Sequence, residues 1–169
     1  MNKKFIPLIL LSTALLMTGC AKKEKGNSGD APTSGQPGQT SQTPTGSVVS
    51  FAAADFPAMS AAAAFETTKS GVKVAISQGL PDTQNNAIRI YKGKTLTISG
   101  ATFTKIEMTF SDYVSSKGDH YDGGGLGELA GWTLASDKLS GVWTGSSDNL
   151  TFTATNYQTR AVTINVTLA

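Results

Sequence analysis

The sequence predicts an all-β domain, an antiparallel β-sandwich of the jelly-roll kind with one short helical segment, and three observations carry that expectation. Apolar residues alternate with polar ones in run after run: Val72, Val74, Ile76; Ile88, Ile90; Leu96, Ile98; Ile106, Met108, Phe110; Leu150, Phe152, Ala154; and Val162, Ile164, Val166, Leu168. A period of two places every second side chain on one face of an extended chain, so each run describes a strand with one buried and one wet face. Turn chemistry separates the runs, and nothing in them repeats, which excludes a solenoid.

Taken in chain order, the first element is Lys3 and Lys4 ahead of the apolar run Phe5 to Met17. A bilayer span needs about 20 apolar residues, so the run reads as a secretory signal peptide over residues 1–19. Met17, Thr18 and Gly19 before Cys20 resemble a bacterial lipobox, with methionine where leucine is commoner. Cys20, the only cysteine, is then acylated and becomes the mature N-terminus; it has no second cysteine for a disulfide or a thiolate metal set. The alternative is an ordinary signal peptide with a chance cysteine. Ala21 in place of aspartate directs the protein, under the sorting rule of enteric bacteria, to the outer membrane.

Residues 20–47 are almost all Gly, Ser, Thr, Pro, Gln or charged, too polar to offset their ordering entropy by burial. Such a segment is a tether reaching roughly 30 Å by random-coil scaling. Loss of Lys3 and Lys4 with the signal leaves 12 of the 14 basic residues against 12 acidic ones. The mature chain is therefore near neutral, without the clustered basic face that nucleic acid requires. Lys22, Lys23 and Lys25 lie beside the anchor, where they can meet anionic headgroups.

The folded domain is expected over residues 48–169, about 120 residues and one core. Within it PAMSAAAAFE, with four alanines after Ser60, suggests one or two helical turns near residues 58–66. YKGKT suggests a Gly-centred hairpin between Ile90 and Leu96, and Ser99–Gly100 the end of the next strand.

AIRIYKGKTLTIS, KIEMTFS, SGVWTGSSDNLTFT and RAVTINVT together resemble a small β-sandwich domain of secreted and surface proteins of Gram-negative anaerobes of gut and mouth. There it occurs as a lone lipoprotein domain and appended to larger secreted proteins, including nucleases. The Arg-hydrophobic-Tyr-x-Gly run at Arg89 and the Gly-x-Trp-x-Gly run around Trp143 carry the likeness, which covers roughly Val48 to the C-terminus. It implies fold and compartment, and brings no ligand or catalytic residue.

Fragments of catalytic signatures fail on mechanics. SGVK at 70–73, SDN at 147–149 and KSG at 69–71 mimic the penicillin-recognising motifs, but two overlap and the serine lies in a strand pattern. GKT at 93–95 lacks the upstream glycine of a phosphate loop, where Ile88 stands. GLGELAG at 125–131 has dinucleotide-fingerprint spacing without the strand before it or the helix after it. His120, the single histidine, excludes multi-histidine metal sites and leaves one conceivable general base, beside Asp119, Asp122 and several serines.

Two ligand chemistries remain. Asp119 and Asp122, with Asp112 and Glu128, could offer a calcium ion oxygen ligands from one loop, though not at EF-hand spacing; the bland alternative is a solvated acidic loop. Arg89 and Tyr91 share the face opposite Ile88 and Ile90, and Tyr113, Tyr121 and Trp132 flank the Gly-rich loop. An exposed ring beside hydrogen-bonding groups can stack on a sugar while its neighbours read the hydroxyls; cross-strand packing is the structural alternative. Trp143, framed by Gly141 and Gly145, reads as core.

The expected function is a non-catalytic, lipid-anchored envelope protein, not an enzyme, whose sandwich is an interaction or adhesion module. A glycan-binding module in polysaccharide capture is the alternative, and a small hydrolase a third. No cofactor is expected. The expected partners are the membrane through the lipid on Cys20 and a glycan or an envelope or surface protein, not nucleic acid. Lipidation has a direct test: cells fed a clickable fatty acid should label the wild-type chain and not Cys20→Ser, and an unlabelled wild type would leave an ordinary secreted protein.

Overall fold

A computed structural model describes residues 46–169; the expectations for the signal peptide, Cys20 and the tether up to residue 45 fall outside the described residues. Eight strands follow: β1 Val48–Phe51, β2 Ala63–Lys69, β3 Val72–Asp82, β4 Ala87–Ile90, β5 Thr95–Phe110, β6 Trp132–Leu134, β7 Ser140–Thr153 and β8 Thr159–Leu168. Their order in one antiparallel sheet is β1-β8-β4-β3-β5-β7-β6, with β2 on β3 and a further pairing of β8 with β5. That last pairing closes β8, β4, β3 and β5 into a ring, so the sheet folds over itself in the sandwich-like, all-β manner that the alternation predicts. Phe51, Ile76, Ile88, Leu96, Phe103, Ile106 and Ile164 fill the enclosed core, each at most 1% exposed.

The helical segment expected near residues 58–66 does not form. Residues 57–62 lack regular structure and the chain enters β2 at Ala63. A helix of one or two turns is marginal in water whatever its alanine content. Here an extended chain does better: Phe65 is buried, meets Phe56 edge-on at 5.2 Å, and Lys69 pairs with Val72. The tight turn between them has Ser70 at φ 49° and Gly71 at φ 79°, the left-handed pair a two-residue hairpin favours. The only helical elements among the described residues are 3-10 turns at Ala53–Asp55 and Gly123–Gly125.

Two turn expectations change likewise. YKGKT does turn, with Gly93 at φ 75° and the Lys94 N–H donating to the Tyr91 carbonyl at 2.9 Å. It joins β4 to β5 without a hairpin, because β3 lies between them in the sheet. Instead the turn docks on the end of β7, where the Gly93 N–H donates to the Ala154 carbonyl at 2.7 Å. Ser99–Gly100 does not end a strand: β5 runs on to Phe110 and its register slips between Ser99 and Phe103. Gly100 at φ 100° makes that irregularity possible. The two halves of β5 thereby serve different neighbours, β3 and β7 before the slip and β7 and β8 after it.

One further irregularity bears on the site. Thr109 pairs with Thr163 but Phe110 with Ala161, one step along β5 against two along β8. Val162 is the extra residue, a bulge that reverses the parity of β8. Ile164 and Val166 face the core after it, Ala161 before it, and Val162 itself is only partly buried. Trp143 is core as expected, 5% exposed, with its indole N–H on the Ala130 carbonyl at 2.9 Å.

Phe103 joins the two halves of β5 and meets Trp143 edge-on at 5.7 Å. Phe103→Ala should therefore destabilise the domain by about 3–5 kcal/mol. Urea unfolding checks it as a lower midpoint at unchanged slope; a loss under about 1 kcal/mol would show that the site collapses and that Phe103 is no keystone.

Candidate functional site

The β4–β8 ladder places Arg89 directly opposite Arg160. Ile88, Ile90 and Ala161 point into the core, so alternation turns both arginines to the other face. Like charges so placed repel. Arg89 is balanced by Asp82, whose carboxylate it meets in a salt bridge near the β3–β4 turn. Asn85 supplies two more donors to that carboxylate, its side-chain amide at 2.8 Å and its backbone N–H at 3.2 Å. Burial pushes the Asp82 carboxyl up, but the hydrogen bonds from Asn85 and the hydrogen bond and charge of Arg89 together hold it below its ordinary value.

Arg160 has no such partner. It is 6% exposed and makes no salt bridge with a described residue. Burial first, and then the charge of Arg89, lower its pKa, while Tyr113 and the more distant charge of Asp82 oppose them. What covers it is the segment between β5 and the Gly-rich loop, pinned to both backbone polar groups of Arg160. The Ser111 N–H donates to the Arg160 carbonyl at 3.0 Å, and the Arg160 N–H donates to the Tyr121 carbonyl at 2.8 Å. Between those pins the segment doubles back, with Val114 bridged to His120 and the Tyr121 N–H on the Tyr113 carbonyl at 3.3 Å. The doubling stacks the Tyr113 and Tyr121 rings at 5.7 Å and an interplanar angle of 7°. The guanidinium carbon of Arg160 lies 3.8 Å from the centre of the first ring and 4.9 Å from the second, within cation–π range.

Three of the five residues singled out for ligand binding, Arg89, Tyr113 and Tyr121, are thus gathered around Arg160. Tyr91 sits at the start of the β4–β5 turn, half-buried, its N–H on the Gln78 carbonyl at 3.3 Å. Trp132 goes elsewhere: on β6 it meets Phe152 edge-on at 5.0 Å and Phe110 at 6.3 Å. With Leu126, Leu129 and Leu134 it lines an open groove of about 620 Å³. Arg160 itself escaped sequence reasoning. Its one signal was its oddity: it shares the even parity of Val162, Ile164 and Val166, and a charge at a core position announces either a partner or a bulge.

The acidic loop makes a second cavity, about 460 Å³, lined by Asp119, His120, Asp122, Ser136, Asp137, Lys138 and Tyr157. Asp119 and Asp122, the calcium candidates, do converge there, but their oxygens serve the loop. Asp122 Oδ1 accepts the Gly124 N–H at 2.8 Å and the Tyr157 hydroxyl at 2.5 Å; Asp119 Oδ2 accepts the Ser115 hydroxyl at 3.1 Å. Among the described residues no three His, Cys, Asp or Glu side chains are grouped to hold a metal ion. The four-residue neighbourhood of Asp122 is structural: its side chain caps the Gly123–Gly125 turn.

No protein-family model matches the chain, and neither does any curated protein or solved structure.

The bond between Tyr157 and Asp122 has a spectroscopic consequence. Burial, then the hydrogen bond and charge of Asp122, push the phenol up to about 12. A raised folded-state pKa stabilises the fold fully below the unfolded value, and that stability is lost as pH rises from about 10 to about 12. Phenolate absorbance should show one step near pH 12 that Tyr157→Phe abolishes and Asp122→Asn moves downward. Persistence of the step in Tyr157→Phe would assign it to another group.

Proposed function

We propose that this is a non-catalytic, lipid-anchored protein of the cell envelope, held through Cys20 in the outer membrane, whose β-sandwich is an interaction or adhesion module. The lipobox-like residues before Cys20 and the resemblance to sandwich domains of surface proteins of Gram-negative anaerobes support the compartment. One observation supports a binding role above the others: the Tyr113–Tyr121 stack, with Tyr113 42% exposed, displays flat aromatic surface on a segment fastened to a sheet strand. Large apolar area at low ordering cost is what a recognition surface needs.

The same stack favours the glycan form of this function, capture of a polysaccharide. A pyranose presents a C–H face to an aromatic ring and hydroxyls to neighbouring donors, and here the donors are guanidinium groups.

An array of neutral and charged glycans, probed with the full chain in detergent, tests the reading. Tyr113→Ala should weaken glycan binding by about tenfold or more, the equivalent of about 1.4 kcal/mol, in a chain that still unfolds cooperatively at a somewhat lower melting temperature. If no glycan binds, a photo-crosslinking side chain at residue 113 in living cells decides between the two forms: a specific envelope-protein adduct retains the adhesion form, and no adduct refutes the whole proposal.

A further inference from the structure

We propose that Arg160 and Arg89 form an anion-reading site beside the tyrosine stack, and that it takes the carboxylate or sulfate of an acidic sugar, an assignment that rests on the glycan form of the function above. The first support is a charge imbalance. Two guanidinium groups stand opposite each other across the β4–β8 ladder, and one carboxylate, Asp82, answers them. Arg89 takes that carboxylate in its salt bridge, so Arg160 feels the Asp82 charge only at a distance and has no salt bridge of its own among the described residues.

The second support is hydrogen bonding. The Nε atoms of Arg89 and Arg160 are both buried without a hydrogen-bond partner. Buried donors are ordinarily satisfied, and orphans call for an explanation. A bound oxyanion supplies it, because a guanidinium edge presents parallel N–H donors matched to the paired oxygens of a carboxylate or sulfate. The Arg89 side chain, 25% exposed, is the side of the pair nearer to water, whereas Arg160 is 6% exposed beneath the rings. Burial, which lowers the Arg160 pKa, also means that water screens an arriving anion little, and each interaction is stronger for it.

The third support is the neighbour. The anion would lie next to Tyr113, which is 42% exposed and whose ring centre is 3.8 Å from the Arg160 guanidinium carbon. A ring for the sugar face and a charged fork for its acidic substituent are the two contacts that a uronic-acid or sulfated pyranose offers together. A small acidic side chain would use only the second.

The experiment uses the full lipidated chain in detergent micelles, with polygalacturonate, dextran sulfate, neutral dextran and polyglutamate as probes. One or both charged polymers should bind and dextran should not, and which charged polymer binds identifies carboxylate or sulfate. Arg160→Gln should weaken that binding by about tenfold or more. Arg160→Lys, which keeps the charge and loses the fork, should recover only part of it. Should Arg160→Gln fail to fold, as a melting curve will show, Arg89→Gln reads the same site from its more exposed side. Lys105→Gln removes an equal charge from a half-buried residue paired with Glu107 and should change nothing. Equal weakening by Lys105→Gln would reduce the effect to general charge attraction and overturn the assignment. Dextran binding as well as the charged polymers, unaffected by Arg160→Gln, would overturn it while leaving the tyrosine platform standing. Binding of polyglutamate but of no polysaccharide would give the site to an acidic protein and overturn the sugar.

Discussion

The pairing of β5 with β8 is the constraint on which the rest depends. Without it the eight strands would form an open, twisted sheet with one apolar face still in water; with it β8, β4, β3 and β5 close on themselves and share one interior. Closure requires strands that change neighbours along their length, and they do so at irregularities. β5 slips after Ser99 and β8 bulges at Val162. The bulge sets the twist and parity with which β8 passes from β5 to β4, and so decides that Ala161 is inside and Arg160 outside.

Electrostatics at that corner follow from the same geometry. A strand that brings an arginine opposite another arginine needs compensation nearby. Asp82, held by Asn85, provides half of it. The other half is aromatic. Ring faces carry negative partial charge, and two parallel rings over one guanidinium stabilise it while its Nε stays without a hydrogen-bond partner. Charge is thereby accommodated and the Nε donor left over, which sets Arg160 apart from Arg89, whose guanidinium is neutralised by a salt bridge.

Much of the fold could be read from the chain because the physics of a half-buried strand is written locally. Val72, Val74, Ile76, Leu96, Ile98, Ile106 and Met108 alternate and are buried. What local pattern does not contain is partnership. YKGKT has the chemistry of a turn, yet nothing in it says that β3 will lie between the strands it joins. Ser99–Gly100 has the chemistry of an ending, and longer-range pairing carries the strand through it. Ala61 to Ala64 suit a helix by propensity, and the Phe65 contact with the core overrides them. At the site, Arg89, Tyr113 and Tyr121 were visible as residue types, whereas their convergence needed the Val162 bulge and the two hydrogen bonds to the Arg160 peptide. Those are properties of register, which sequence records only through a misplaced arginine.

The placement of β1 has a mechanical meaning. It lies at the margin of the sheet on β8 alone, antiparallel, with Val48 level with Thr167 and Phe51 level with Ile164. Arg160 stands at the opposite end of β8 from Thr167. A pull entering at Val48 and resisted at Arg160 would therefore run along the strands instead of across them. The β1–β8 bonds then bear load side by side, in shear, and must yield together, where a pull across the ladder would unzip them one at a time. That direction of force, along the strands, is the one in which a short marginal strand holds best.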